Sequence, residues 1–207
     1  MLDLFLSAFV TLFVVIDPPG CAPIDAGLTH GASAAQRRSM ALRACLIAGV
    51  ILLIFALFGE QLLAPLHIEL DAFRIAGGVM LFLIALDMVF EKRTQRREAR
   101  ADKLRETPEI EDVSVFPMAM PMMAGPGAIA SVMLLAGSAD GIEQALVMLA
   151  ALLAVLVLTL LALLAAGPLM RLVGARVETV ITRLLGVLLA ALAAQYVIDG
   201  IRGSFGL

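Results

Sequence analysis

Val113–Ala139 is a run of 27 residues without a charged side chain. About 20 apolar residues in helical form cross the hydrocarbon core of a bilayer, so the run is long enough to span. It is also interrupted, by Pro117, Pro121, Gly125, Pro126 and Gly127. Proline lacks an N–H and clashes with the preceding turn, and glycine accepts backbone angles that other residues resist. A helix reaching Gly125-Pro126-Gly127 should therefore break at membrane depth. Irregular backbone is tolerated there only where protein buries it or where it lines a wet cavity. The break is either a kink patched by neighbouring helices or a site.

The rest of the chain supports a membrane setting. It is 61% hydrophobic with a mean hydropathy of +1.00, above the roughly half-apolar composition of soluble domains. Six spans are expected, at about 4–28, 40–58, 72–90, 113–136, 144–166 and 182–201. Runs of this length indicate helices, because barrel strands are about 10 residues long and alternate in polarity. The fold class is an all-α polytopic membrane protein of six transmembrane helices. The N-terminus lacks the basic region of a signal peptide and reads as a retained first helix. A charged stretch without apolar periodicity, 91–112, reads as a solvated cytoplasmic linker. It divides the chain into three-helix units at 1–90 and 113–207.

Charge placement gives an orientation. Arg37, Arg38, Arg43, the Lys and Arg residues of the linker, Arg171, Arg176 and Arg183 share one face of a six-span arrangement, leaving Arg74 and Arg202 for the other. By the positive-inside rule the crowded face is cytoplasmic and both termini lie outside. The two units also echo each other. Pro19-Gly20 matches Pro126-Gly127 at an offset of 107, and Arg74-x-x-Gly77 matches Arg183-x-x-Gly186 at an offset of 109. Three spans per unit would set the units in opposite orientations, with helices 1 and 4 broken at corresponding places. Inverted repeats around broken helices are a transporter signature.

A broken helix exposes N–H groups at one half-helix start, where positive partial charge attracts anions. Pro18 and Pro19 suit the first turn of a new half-helix. The N–H groups of Gly20, Cys21 and Ala22 are then candidate donors to a carboxylate, as are those of Gly127, Ala128 and Ile129 beyond Gly125-Pro126. Asp17 reads equally as an N-cap and as an intramembrane acid holding a coupling ion or a substrate ammonium group. It lies about 22 Å along its helix, past the middle of a core about 30 Å thick. Arg74 either snorkels to the outer face or lines the path. Ser131 and Gln195 either line the path or bond a neighbouring helix. Cys21 and Cys45 read as packing residues, and His30 and His67 as loop residues. No second intramembrane acid is expected to pair with Asp17.

The pieces IDPPG at 16–20, FRIAGGVMLF at 73–82, FPMAMPMMAGPGAIA at 116–130, LMRLVG at 169–174 and TRLLGVLLAALAAQYVIDGI at 182–201 resemble the MarC family of integral membrane proteins. The resemblance covers nearly the whole chain. It implies a six-helix protein of two inverted repeats in a bacterial or archaeal plasma (inner) membrane. It further implies transport of small neutral amino acids such as glycine and alanine. The chain departs from the family at Pro18-Pro19, where Asn-Pro also occurs, which touches the role of Asp17 more than the Pro-Gly breaks.

The expected function is a secondary transporter working by alternating access, with a non-transporting scaffold or sensor as the alternative. No hydrolase elbow, zinc-protease motif or P-loop is present, so neither an enzyme nor direct ATP use is expected. No cofactor or metal is expected beyond a coupling ion, H+ or Na+. The expected partners are a small amino acid and the lipid bilayer, without nucleic acid. Oligomeric state stays open.

Overall fold

The computed structural model describes residues 1–90 and 112–206, so the linker expected at 91–112 lies, apart from Asp112, outside the described residues. Among the described residues every regular element is helical. Helix α1 (Leu2–Ile16) and α2 (Pro18–Leu28) run end to end, followed by α3 (Ala34–Leu63). A single tight turn, Ala64–Leu66, leads to α4 (Leu70–Val89). An irregular coil, Ser114–Met123, precedes α5 (Pro126–Gly137), α6 (Gly141–Leu164) and α7 (Ala166–Phe205).

Five stretches are long and apolar enough to cross a membrane: Leu2–Leu28, Ala34–Gly59, Leu70–Val89, Gly141–Leu164 and Thr179–Phe205. A sixth crossing exists if the coil and α5, bent by 55° to each other, count as one. The outer faces carry exposed Leu46, Val50, Leu53 and Leu57 on α3, Leu146, Leu153, Val157 and Leu161 on α6, and Leu184 and Leu188 on α7. These recur at helical spacing. Apolar stripes turned outward on helices of spanning length fit a lipid environment, where the bundle has no water to exclude.

Two elements differ from the sequence expectation. The run opening at Val113 was expected to be α-helical up to Gly125, but its first half is not an α-helix. Phe116 (φ −127°, ψ 126°) and Met120 (φ −130°, ψ 125°) are extended, and each is joined to the following proline by a cis peptide bond. The hydrogen bonds that close the coil reach back five residues, from Met118 N–H to the Val113 carbonyl at 3.2 Å and from Ala124 N–H to the Ala119 carbonyl at 2.8 Å. The cause is local. Pro117 and Pro121 lack the N–H an α-helix needs, and a residue before proline is pushed out of helical angles. The second difference is the connector expected before the last span. Helix α7 starts directly after Ala165 and already contains Arg183. Gly167 and Pro168 fall in its first turn, where a missing N–H breaks no helical bond. Its 40 residues extend about 60 Å, twice a hydrocarbon core, so its first part lies outside the core.

Helix α1 runs through the interior, with Ala8, Leu12 and Ile16 fully buried, and packs on α5, α6 and α7. The most extensive helix pair is α4 with α7. The start of α4 (Asp71, Arg74) lies against Gly200 and Gly203, and its end (Ala85, Met88) against Gly186, so the pair is antiparallel. A Cβ on residue 78 would lie 2.8 Å from the Ala193 carbonyl oxygen, and one on residue 186 would lie 3.2 Å from that of Ala85. Backbones approach this closely only across small residues.

Candidate functional site

The first break is a single residue. Asp17 sits in the left-handed region (φ 61°, ψ 64°), which Asp tolerates better than most residues. Its N–H still closes α1 on the Phe13 carbonyl at 2.9 Å, and its carbonyl accepts from Cys21 at 3.0 Å. Its carboxylate turns onto α2 and accepts the Gly20 N–H at 3.1 Å. Pro18 and Pro19 have no N–H to offer. The start of α2 is therefore capped by its own acid, and Asp17 is 1% exposed. Gly20 makes room for this cap, since a Cβ there would collide with the Asp17 carboxylate. The Cys21 thiol donates to the Ile16 carbonyl at 3.4 Å.

The second break is longer and is built differently. Ala124 (φ −96°, ψ 53°) and Gly125 (φ −78°, ψ 171°) join the coil to α5. A Cβ on Gly125 would run into the Pro121 carbonyl oxygen. Pro126 occupies the first helical position, and no side chain caps α5. The Ile129 N–H is bonded to the Gly125 carbonyl at 3.0 Å. The N–H groups of Gly127 and Ala128, at the second and third helical positions, have no acceptor within the helix.

Of the donors expected from sequence, Gly20, Cys21 and Ile129 are thus engaged inside the chain, and Ala22 lies past the first turn, within the helical ladder. Gly127 and Ala128 remain directed outward from a helix start. Both breaks read as proline followed by glycine, and the sequence left open whether Asp17 caps the first. The difference lies in what precedes the proline: an acid before Pro18-Pro19, a glycine before Pro126.

Tertiary packing brings the two breaks together. A Cβ at Gly127 would stand 3.5 Å from Val15 Cγ1, two residues before Asp17, and 3.4 Å from Leu81 Cδ2 of α4. Helix α2 also packs on the coil. The meeting point is dense: Cys21, Ala22, Ala124 and Ala128 are all within 2% of complete burial. Ser131 lies one turn beyond Gly127 on the same helix face. It is fully buried, and its hydroxyl has no hydrogen-bond partner among the described residues.

The remaining candidates lie elsewhere. Arg74 pairs with Asp71 at 2.8 Å at the start of α4. Gln195 is exposed and donates to Asp199 one turn along at 2.7 Å. Cys21 and Cys45 are buried free thiols. Asp25, not among the candidates expected from sequence, is inside the first span and 3% exposed. Its spacing of eight residues from Asp17 and four from Thr29 along one helix was the available signal.

The family model that matches, over residues 2–205, is described as a MarC family integral membrane protein. A UPF0056 membrane protein of Archaeoglobus fulgidus is 35% identical, covering 97% of this chain and 93% of its own. The UPF0056 membrane protein YvbG of Bacillus subtilis is 34% identical, covering 99% and 97%. The UPF0056 membrane protein YhcE of Escherichia coli is 33% identical, covering 97% and 93%. No solved structure matches the chain.

Proposed function

The chain belongs to the MarC family of integral membrane proteins, and from that premise we propose that it is a secondary transporter of small neutral amino acids of the glycine and alanine class. The observation that carries the reading is the pair of unlike breaks packed against each other, one closed by its own carboxylate at Asp17 and the other open at Gly127 and Ala128. An amino acid zwitterion has a carboxylate suited to the open α5 start. It also has an ammonium group suited to a carboxylate such as Asp17. A ligand ammonium or a coupling ion, H+ or Na+, would compete with the Gly20 N–H for that carboxylate. The cap and the ion site are then two states of one residue. The buried residues around the breaks, Ala22, Ala124 and Ala128, are small, which suits a ligand with a small side chain, and Ser131 supplies a further polar atom along the same face.

The antiparallel α4–α7 pair, with a glycine approach near each end, supports an inverted-repeat arrangement in which this pair rocks against the broken helices. In the described conformation the breaks are packed closed, as an intermediate between inward- and outward-facing states would be. The plasma membrane and termini outside the cytoplasm belong to the same proposal, on the charge count. Uptake of labelled glycine and alanine into proteoliposomes, with and without H+ and Na+ gradients, tests it. Gradient-dependent uptake that Asp17→Asn abolishes is the expected result. No uptake of any small amino acid under any gradient refutes transport and leaves the scaffold or sensor reading.

A further inference from the structure

Away from the breaks, a cavity of about 220 Å³ opens at the end of the bundle where α2 and α6 finish and α3 and α7 begin. Asp25 and Thr29 line it from α2, Arg37 and Arg38 from α3, and Leu163 from α6. Asp25 is 3% exposed, and its Oδ1 has no hydrogen-bond partner among the described residues. The Thr29 hydroxyl beside it is committed to the Asp25 backbone carbonyl at 2.7 Å. Arg37 and Arg38 line the same cavity, and among the described residues neither bonds Oδ1. A buried carboxylate oxygen left this way is costly and calls for a donor.

The charges select the ligand. A lone cation would have to pass two guanidiniums, and a lone anion would meet a carboxylate. A molecule carrying both charges meets an opposite partner at each end. At about 30 Å³ per water, the cavity holds the equivalent of about seven waters, enough for a few heavy atoms. We propose that this cavity binds a small zwitterion, its primary ammonium group on Asp25 and its anionic group on Arg37 and Arg38.

Two sources share that chemistry, a free amino acid and the phosphoethanolamine headgroup of a lipid, since arginines at a bundle end sit at headgroup level. The site is separate from the breaks, so it stands or falls independently of transport. The test is calorimetric binding to the purified full chain in detergent, with alanine and phosphoethanolamine as probes and methylammonium and acetate as single-charge controls. At least one zwitterion should bind about tenfold or more tightly than either control. Asp25→Asn and Arg37→Gln should each weaken it about tenfold or more, as loss of a charge-assisted bond does, while Glu143→Gln, exposed at the opposite end of α6, leaves it within about twofold. Preference for phosphoethanolamine assigns the headgroup, and preference for alanine assigns the free amino acid. The proposal is overturned if no zwitterion exceeds its single-charge halves, or if Asp25→Asn and Arg37→Gln both bind like the parent chain. Arg37 is exposed, so its variant carries the test even if the Asp25 variant does not fold.

Discussion

The cap at the first break makes a graded prediction at Asp17. Three substitutions separate what the residue does. Asn keeps both the left-handed angles and a side-chain oxygen for the Gly20 N–H. Gly keeps the angles but loses the side-chain cap. Ala loses both. Removing a cap costs about 1 kcal/mol, and holding Ala in left-handed angles costs about 1–2 kcal/mol. Removing a buried carboxylate works in the opposite direction, because its desolvation no longer has to be met. That term is common to all three variants, so the difference between Ala and Asn is the diagnostic quantity, about 2–3 kcal/mol. At about 2–4 °C per kcal/mol for a chain of this size, Ala should unfold about 4–12 °C below Asn. Cys21 and Cys45 are buried free thiols, so a thiol-reactive dye reports unfolding in detergent directly as temperature rises. Gly should fall between the two. Equal Tm values for Asn and Ala would remove the cap from the account of this break. A stable Asn variant that loses uptake would assign the charge, separately from the cap, to transport.

Other positions give sharper steric tests. Gly125→Ala places a Cβ on the Pro121 carbonyl oxygen, and backbone cannot yield as a flexible side chain can. The expected result is a loss of about 1–3 kcal/mol, read as earlier thiol exposure, and a Tm equal to the parent chain would refute the close approach. Gly78→Leu and Gly186→Leu each drive a side chain into the facing helix, at Ala193 and at Ala85. Either should lower Tm by several degrees, and cross-linking of cysteines placed at 74 and 200 should fall in both. Asp112 is held below the usual carboxylate range by hydrogen bonding from Ser114 and by the Arg43 guanidinium, 2.7 Å away. A lowered pKa means the contribution is present above the ordinary carboxylate pKa of about 4 and is lost as pH falls through the lowered value. The pair is exposed, so the loss is about 0–1 kcal/mol. Arg43→Gln should flatten that part of the Tm-against-pH curve, and an unchanged acid limb would refute the coupling.

Much of the architecture was legible because lipid imposes it. A helix in hydrocarbon must be about 20 apolar residues long, so span positions could be read from where charges stop. Backbone rules are equally local, which is why Pro18-Pro19 and Gly125-Pro126 marked the breaks. The coil at Ser114–Met123 was also encoded locally, in Pro117 and Pro121 four residues apart, although the break expected from sequence was at Gly125-Pro126-Gly127. Facing was not legible. In water a polar stripe tells the outside of a helix from its inside. In a bilayer both sides are apolar, so nothing in the sequence around Gln195 placed it outward on Asp199 rather than inward, and nothing around Arg74 chose between the lipid interface and a pair with Asp71.

The sequence by itself determined that this chain is a multi-pass helical membrane protein, where its helices break, and to which family it belongs. These follow from length, polarity and backbone chemistry, which act over a few residues at a time. Tertiary structure decided the rest. It set Val15 against Gly127, turned the Asp17 carboxylate back onto Gly20, left the α5 start uncapped, and enclosed Asp25 beneath Arg37. Which donors are spent and which remain depends on distances between groups far apart in the chain. Those distances are fixed only when apolar helices choose their neighbours by shape.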